Sequence, residues 1–376
     1  LDTATYSLSV SLQKPFARVA ASVPKRTQEF TMSSSTPQTR RRVHIPSPDV
    51  VEIVSEALPE LGDDEALVSM LVAGVCGSDT HAMHGHHPQM KLPYYPGHEV
   101  VGVVEAVGRN VTGVTVGTRV TPEPTLPCGE CKMCRTGREN ICDNLEFFGC
   151  GFREGGMADV FTVRADRLHA IPDGMSDLEA ALIEPLATPV HAVRLAGDVK
   201  GKTVAILGAG TIALLVLATV RYRGARRVVM TDVLESKRAL ALKLGADAVL
   251  DAADPDVAAQ VVAQLGETAD FVFDCVSIQP TFDSAVEMVG KGGTIVVVGV
   301  PQKSVVVPLP TLQDRQVRVQ GAATYVAEDY ADATEIIRSG AVSTSDMISS
   351  SYPMAESAAA FAASAGGHEV KVVITA

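Results

Sequence analysis

The chain has 376 residues, 46% hydrophobic and 20% charged, and a formal net charge of −12. That length predicts two domains, each able to bury its own core. The acidic balance argues against sequence-independent binding of nucleic acid, which needs clustered basic residues. No run of 18 apolar residues occurs, so no membrane-spanning helix is expected, and a cytoplasmic protein is the expectation.

The charge is uneven. Residues 1–45 carry seven Lys or Arg against two acids, a net of +5, which leaves −17 for the rest. This Ser/Thr/Arg-rich leader has the composition of a transit peptide. The favoured expectation is a disordered or non-native arm over residues 1–42, with Met32 as an ordinary start. No apolar core follows its basic residues, so a secretory signal is not expected.

From Val43 the pattern becomes globular. Leu67–Gly74 is a continuous apolar run, read as a buried strand. It enters Cys76-Gly-Ser78-Asp79-Thr-His81, where Ser78 or Asp79 is placed to cap a short helix and Ser78 and His81 share a face. His84, His86 and His87 follow in a Gly-containing loop and are expected at the surface or along a cleft. Pro96-Gly97-His98-Glu99 leads into a strand over Val100–Gly108. Asn110–Gly117 is turn-rich, and a further strand starts at Arg119.

That strand runs into Cys128-Gly-Glu-Cys131-Lys-Met-Cys134, with Cys142 seven residues beyond. Four thiolates at this spacing can close a tetrahedron around one zinc ion and leave no open position. The chain has seven cysteines; an odd count, crowded in this way, favours metal binding over a disulfide framework. Cys150 and Cys275 lack metal spacing and are read as buried small residues; His191 is read as a helix-packing residue. Cys76, His98 and Glu99 offer thiolate, imidazole and carboxylate, each a zinc ligand type. Taken singly, each is more often a packed or satisfied polar residue. Glu184, in Ala181-Leu-Ile-Glu184-Pro185, is a carboxylate among apolar neighbours, costly to bury without a partner.

The second half alternates strand and helix. Lys202–Leu207 is a short apolar strand, followed by Gly208-Ala-Gly210-Thr211-Ile212-Ala213 opening a helix to Tyr222. Gly208 permits the tight turn, Gly210 lets backbone approach a pyrophosphate, and Ala213 keeps helix and strand close. The helix N-terminus offers amide donors to phosphate. A second strand ends on Asp232, 24 residues after Gly208, which supplies the acid for ribose hydroxyls. Its charge favours NAD over NADP, although Lys237 and Arg238 lie near. Further strands are expected at Ala248–Leu250, Asp270–Asp274 and Gly293–Gly299, with helices near 234–244, 257–265 and 281–289. The repeat implies a doubly wound parallel sheet. Ser304–Pro308 reads as an edge strand, and an edge invites pairing with another subunit, hence a homodimer or homotetramer. A helix over Ala327–Ser339 and a strand from Val370 close the chain.

Gly97-His98-Glu99-x2-Gly102-x5-Gly108-x2-Val111, with Cys76-Gly-Ser78-Asp-x-His81 ahead of it and the four-cysteine array behind, resembles the zinc-dependent medium-chain alcohol dehydrogenase/reductase family, in its sorbitol, threonine and butanediol dehydrogenase branch. The resemblance covers roughly residues 45–376. It implies a GroES-like, mainly-β catalytic domain over 43–186 with a structural-zinc lobe at about 122–150. A Rossmann NAD-binding domain over 187–322 and a return to the catalytic domain over 323–376 complete the α/β fold. It implies two zinc ions per chain. One is structural, on Cys128, Cys131, Cys134 and Cys142. The other is catalytic, on Cys76, His98 and Glu99, with Glu184 contacting the metal or its water. Where classical alcohol dehydrogenases place a second cysteine, this chain has the Glu-Pro of the polyol branch. Gly208, Gly210, Thr211, Ile212, Asp232 and Lys237 would meet the dinucleotide, and backbone groups of Val298, Gly299 and Val300 the nicotinamide carboxamide. Ser78 would relay the alcohol proton, with His81 at the outer end.

The implied reaction is reversible NAD-linked oxidation of a secondary alcohol or small polyol or diol. Polyol members carry Arg-Tyr where this chain has Thr324-Tyr325, which removes a hydroxyl-binding cation. Phe147 and Phe148 are candidates for an apolar cleft wall. The alternatives are a threonine-type amino alcohol and, from another class, a non-catalytic NAD-binding relative or a zinc-free double-bond reductase.

Overall fold

The computed structural model describes residues 39–87, 90–150 and 154–376. The expectations for residues 1–38, including the start at Met32, lie outside the described residues. β1 starts four residues before the expected boundary at Val43. β1 (Thr39–His44) pairs antiparallel with β2 (Glu52–Ala57), and Arg40 and Arg42 are buried in the fold. Arg40 Nη2 lies 2.6 Å from both Glu56 and Glu154. The Arg42 guanidinium lies 3.2 Å over the Tyr95 ring and 2.8 Å from Glu56. Matched partners are what make burial of two cations tolerable.

The chain continues through β3 (Glu65–Val75), α1 (Gly77–Met83), β4 (Glu99–Val107) and β5 (Arg119–Pro122). Next comes a lobe of β6 (Thr125–Leu126), α2 (Lys132–Arg135), a 3-10 turn at Glu139–Ile141 and β7 (Glu146–Phe147). β8 (Val160–Arg164), β9 (Leu168–Ala170) and α3 (Asp177–Ala180) lead to α4 (Ile183–Ala196). The cofactor half alternates without a break: β10 (Thr203–Leu207), α5 (Thr211–Tyr222), β11 (Arg227–Asp232), α6 (Glu235–Lys243), β12 (Ala248–Asp251), α7 (Val257–Leu265), β13 (Ala269–Asp274), α8 (Gln279–Met288), β14 (Val289–Val297), α9 (Leu309–Asp314) and β15 (Arg318–Gly321). The return is α10 (Ala327–Arg338), α11 (Thr344–Met347), β16 (Ile348–Pro353), α12 (Ser357–Ala365) and β17 (Lys371–Thr375).

The cofactor half forms one six-stranded sheet, ordered β12-β11-β10-β13-β14-β15, with every pair parallel. This is the doubly wound order with its switch point between β10 and β13. β10 is buried at every position, as a central strand with helices on both faces must be. The other half is a seven-stranded sheet, β16-β17-β3-β4-β5-β9, with β8 also on β3. β17 arrives from the end of the chain to lie antiparallel to β3, so the catalytic half is discontinuous.

α4 joins the halves. It packs on α5 and α10, and Ile183, Leu186 and Val190 are at most 1% exposed. Each such side chain contributes about 1.5–3 kcal/mol by leaving water. Ser304–Pro308 is not a strand. Its backbone is bonded by the Gln279 side chain, which accepts from Val306 N at 2.6 Å and donates to Val306 O at 3.1 Å. The edge of the sheet is β15 instead.

Candidate active site and metal centres

α2 starts on Cys131 as its N-cap and places Cys134 one turn on; the 3-10 turn returns Cys142 to the same point. Sγ–Sγ separations are 3.4 Å for Cys128–Cys142, 3.5 Å for Cys131–Cys134, 3.8 Å for Cys131–Cys142 and 4.0 Å for Cys128–Cys134. Zinc–thiolate bonds of about 2.3 Å in a tetrahedron give edges of about 3.8 Å, so the four sulfurs fit zinc. The thiols are free of disulfides. Backbone N–H groups of Cys134 and Asp143 pull the Cys131 thiol down to about 6, while burial and the neighbouring thiols push Cys134 up to about 12, so not all four are thiolates without a cation among them.

A second cluster forms where three elements end. Cys76 closes β3 and caps α1, His98 precedes β4, and Glu99 opens it. One ligand atom from each of Cys76, His98 and Glu99 lies within 4.8 Å of the others, and His98 and Glu99 are buried. The cap differs from expectation: Cys76, not Ser78 or Asp79, is the N-cap, and Asp79 accepts from Cys76 N at 3.0 Å. Asp79 is fully buried, and its free Oδ1 faces the free His98 Nδ1 across 3.8 Å. That leaves Nε2 of His98 for a metal, with a carboxylate behind the ring.

Glu99 has a partner that sequence reasoning did not supply. Lys371 Nζ, on β17, lies 2.6 Å from both carboxylate oxygens and 3.4 Å from Val75 O. The pair is buried, at 4% and 1% exposure. Register explains the room for it: Gly74 on β3 stands opposite Glu99 on β4 and Val373 on β17. A Cβ on Gly74 would meet Glu99 Oε2 at 2.0 Å. The signal in the sequence was a lone lysine inside Val370-Lys-Val-Val-Ile.

Glu184 is in the first turn of α4 and buried, and it stands outside the 4.8 Å cluster. The Tyr325 hydroxyl donates to it. Burial pushes its carboxyl up to about 7, with Glu99 adding to the rise, while His98, Tyr325 and Lys371 oppose it. Ser78 is half-buried and His81 exposed on α1; His81 Nδ1 lies 3.3 Å from Gln302 Nε2. Phe147 sets its ring edge-on to His98 at 5.9 Å, whereas Phe148 is core, against Phe161. His84 and His86 are exposed and His87 half-buried. His191 is buried between Asn140 and Asp329. Cys150 and Cys275 are half-buried and pack against core clusters.

The Gly-rich turn lies between β10 and α5. Gly208 has φ +96° and Gly210 has open space where a Cβ would stand, which is room for a phosphate against bare backbone. Asp232 Oδ2 accepts from Ala209 N at 2.7 Å and Oδ1 from Leu234 N at 2.9 Å. Lys237 is half-buried on α6, and Ile212 packs partly buried against the core. Val298 and Gly299 donate to Asp274 O, and Val300 is exposed. Thr211 Oγ1, at the start of α5, donates to Val370 O, so the residue just before β17 ties the Gly-rich turn to the strand that carries Lys371.

This fold and these sites define a two-domain zinc-binding dehydrogenase. Residues 62–173 match the alcohol dehydrogenase GroES-like domain and residues 211–339 the zinc-binding dehydrogenase domain. The chain is 33% identical over 336 residues to D-arabitol-phosphate dehydrogenase of Enterococcus avium, covering 88% of this chain and 95% of that protein. It is 32% identical over 328 residues to L-idonate 5-dehydrogenase of Vitis vinifera, covering 84% and 89%. A zinc-binding dehydrogenase structure from Sinorhizobium meliloti 1021, bound to NADP, superposes with TM-score 0.85 at 31% identity, over 90% of this chain and all of that one. The chain belongs to the zinc-dependent medium-chain alcohol dehydrogenase/reductase family, in its polyol dehydrogenase branch, and is an oxidoreductase acting on CH–OH groups. Among the described residues, no helix is long and apolar enough to cross a membrane.

Proposed function

We propose that this enzyme oxidises a secondary alcohol, a small diol or polyol, to the ketone with NAD, and holds two zinc ions per chain. The observation that carries this is the convergence of Cys76, His98 and Glu99, with the chain just before β17 bonded to Thr211 at the start of α5. Bound zinc supplies Lewis acidity that lowers an alcohol's pKa, and the nicotinamide supplies the hydride acceptor. Cys76 and His98 are the residues to hold that zinc. Glu99, paired with Lys371 through both oxygens, keeps lone pairs free and serves as a third ligand or as an adjacent charge. Glu184, buried and bonded by the Tyr325 hydroxyl, would be an exchangeable ligand or water acceptor. Ser78 takes the alcohol proton, and His81, exposed at the next turn of α1, delivers it to solvent. The Phe147 ring limits water at the His98 edge.

Asp232 supports NAD, because a carboxylate bound into the Gly-rich turn repels a 2′-phosphate. The NADP found in the relative marks the competing choice. Thr324 presents no cation, which favours an uncharged diol over a phosphorylated polyol; a threonine-type amino alcohol is the second reading within the class. The exposed Val319 on the edge strand β15 supports a homodimer or homotetramer through that edge. The test is a panel of diols, polyols, polyol phosphates and threonine with each cofactor. The expected result is kcat/KM at least about tenfold higher with NAD than NADP, on an uncharged secondary alcohol. Zinc-loaded protein inert across the panel would overturn the reading in favour of a non-catalytic relative.

A further inference from the structure

We infer that Asn140, inside the four-cysteine lobe, is a positioning residue for the active site: it fixes the segment Ala323–Val326 so that the Tyr325 hydroxyl meets Glu184. The lobe is thereby more than a staple. The inference rests on the proposed place of Glu184 beside the catalytic zinc.

Asn140 lies in the 3-10 turn between Cys134 and Cys142 and is 6% exposed. Its Nδ2 donates to Ala323 O at 2.8 Å and lies 3.2 Å from His191 Nε2. Its own carbonyl accepts from Thr324 Oγ1 at 3.1 Å. Thr324 has φ +47°, a left-handed conformation that a β-branched residue holds only where its surroundings impose it. On the other side of Tyr325, Val326 N donates to Asp329 Oδ2 at 2.9 Å.

Asp329 Oδ2 also lies 2.9 Å from His191 Nδ1 and from Arg194 Nη2. One tautomer of His191 satisfies both contacts: Nδ1–H donates to Asp329 and Nε2 accepts from Asn140. The imidazole therefore ties the two clamps together. Tyr325, 1% exposed, is held between them, its ring edge-on to Tyr330 at 5.3 Å. Tyr330 in turn donates to Pro122 O at 3.1 Å.

Within the lobe, α2 buries none of its residues, whereas Asn140 in the 3-10 turn and Cys142 at its end are buried and Glu139 lies 3.0 Å from Arg167 Nη1. Cys134 and Cys142 flank the 3-10 turn, so a metal held by the four cysteines would fix the turn, and the turn sets Asn140. The Thr324 hydroxyl is committed to the Asn140 carbonyl.

The test uses full-length, zinc-loaded protein labelled with 3-fluorotyrosine, the Tyr325 resonance being assigned by Tyr325→Phe. Asn140→Ala is expected to shift that resonance and to lower kcat about 10- to 100-fold, with the KM for cofactor and the lobe zinc unchanged. Asn140→Ala placed on Tyr325→Phe is expected to add nothing further. Thr324→Ser should behave as wild type, and Thr324→Val should reproduce part of the loss. An unshifted Tyr325 resonance in Asn140→Ala, or losses that multiply in the double variant, would overturn the inference. A shifted resonance with unchanged kcat would uphold the positioning and overturn the role given to Glu184. Should Asn140→Ala not fold, Thr324→Val, of nearly equal volume, decides by the same two readouts.

Discussion

Replacing Lys371 by Met removes the only cation bonded to Glu99 among the described residues while keeping most of the side-chain volume. Lys371 Nζ lies 2.6 Å from each Glu99 oxygen, and both side chains are nearly inaccessible to water. Breaking such a pair from one side leaves an uncompensated buried charge, which costs about 3–5 kcal/mol. That is a large part of the roughly 5–15 kcal/mol by which a domain is stable. Gly74 cannot offer Glu99 a new partner, and β4 holds its backbone in register. The assay is urea unfolding of chelator-treated protein, where no metal can replace the lysine. Far-UV circular dichroism is the probe, as the chain has no tryptophan. Lys371→Met should be destabilised by about 3–5 kcal/mol, and adding Glu99→Gln should restore at least about 2 kcal/mol by removing the stranded charge. A single variant within about 1 kcal/mol of wild type, or a double variant no more stable than the single, would refute the reasoning.

Gly74→Ala sets a methyl group 2.0 Å from Glu99 Oε2; metal analysis should find zinc falling from about two to about one per chain, with the four-cysteine ion retained. Acid should weaken the N-terminal clamp. Burial raises the Glu56 carboxyl, but hydrogen bonds from Arg42 and Arg40 outweigh it and hold its pKa below the ordinary 4.5. A pKa lowered by folding gives stability that is fully present above the unfolded value and lost as pH falls through the folded one. The urea midpoint should therefore drop as pH falls below about 4.5, and Glu56→Gln should flatten that drop while lowering stability at pH 7.

Much of the site was legible before any coordinates. The four-cysteine array is local, so its spacing and tetrahedral demand on sulfur were enough to identify it. The strand, the Gly-x-Gly turn and Asp232 lie within 31 residues of each other, from Lys202 to Asp232, and each residue type has its own backbone reason. Two of the readings that failed share a cause. Ser304–Pro308 has the composition of a strand, but the Gln279 side chain took its hydrogen bonds. Arg40 and Arg42 read as a basic leader because the carboxylates that neutralise them, Glu56 and Glu154, are up to 114 residues away.

Sequence by itself thus determined the family and which side chains are candidates for its chemistry: the four-cysteine array, Cys76, His98 and Glu99, and a Gly-x-Gly turn followed by Asp232. Only the tertiary structure decided how those groups are held. Glu99 meets Lys371 across 272 residues, Glu184 meets Tyr325 across 141, and Asn140 meets Ala323 across 183. No periodicity or spacing carries such pairings, because they arise from strand register and helix packing between distant segments. They are also where the buried charges and polar groups of the active site find the partners that low-dielectric surroundings require.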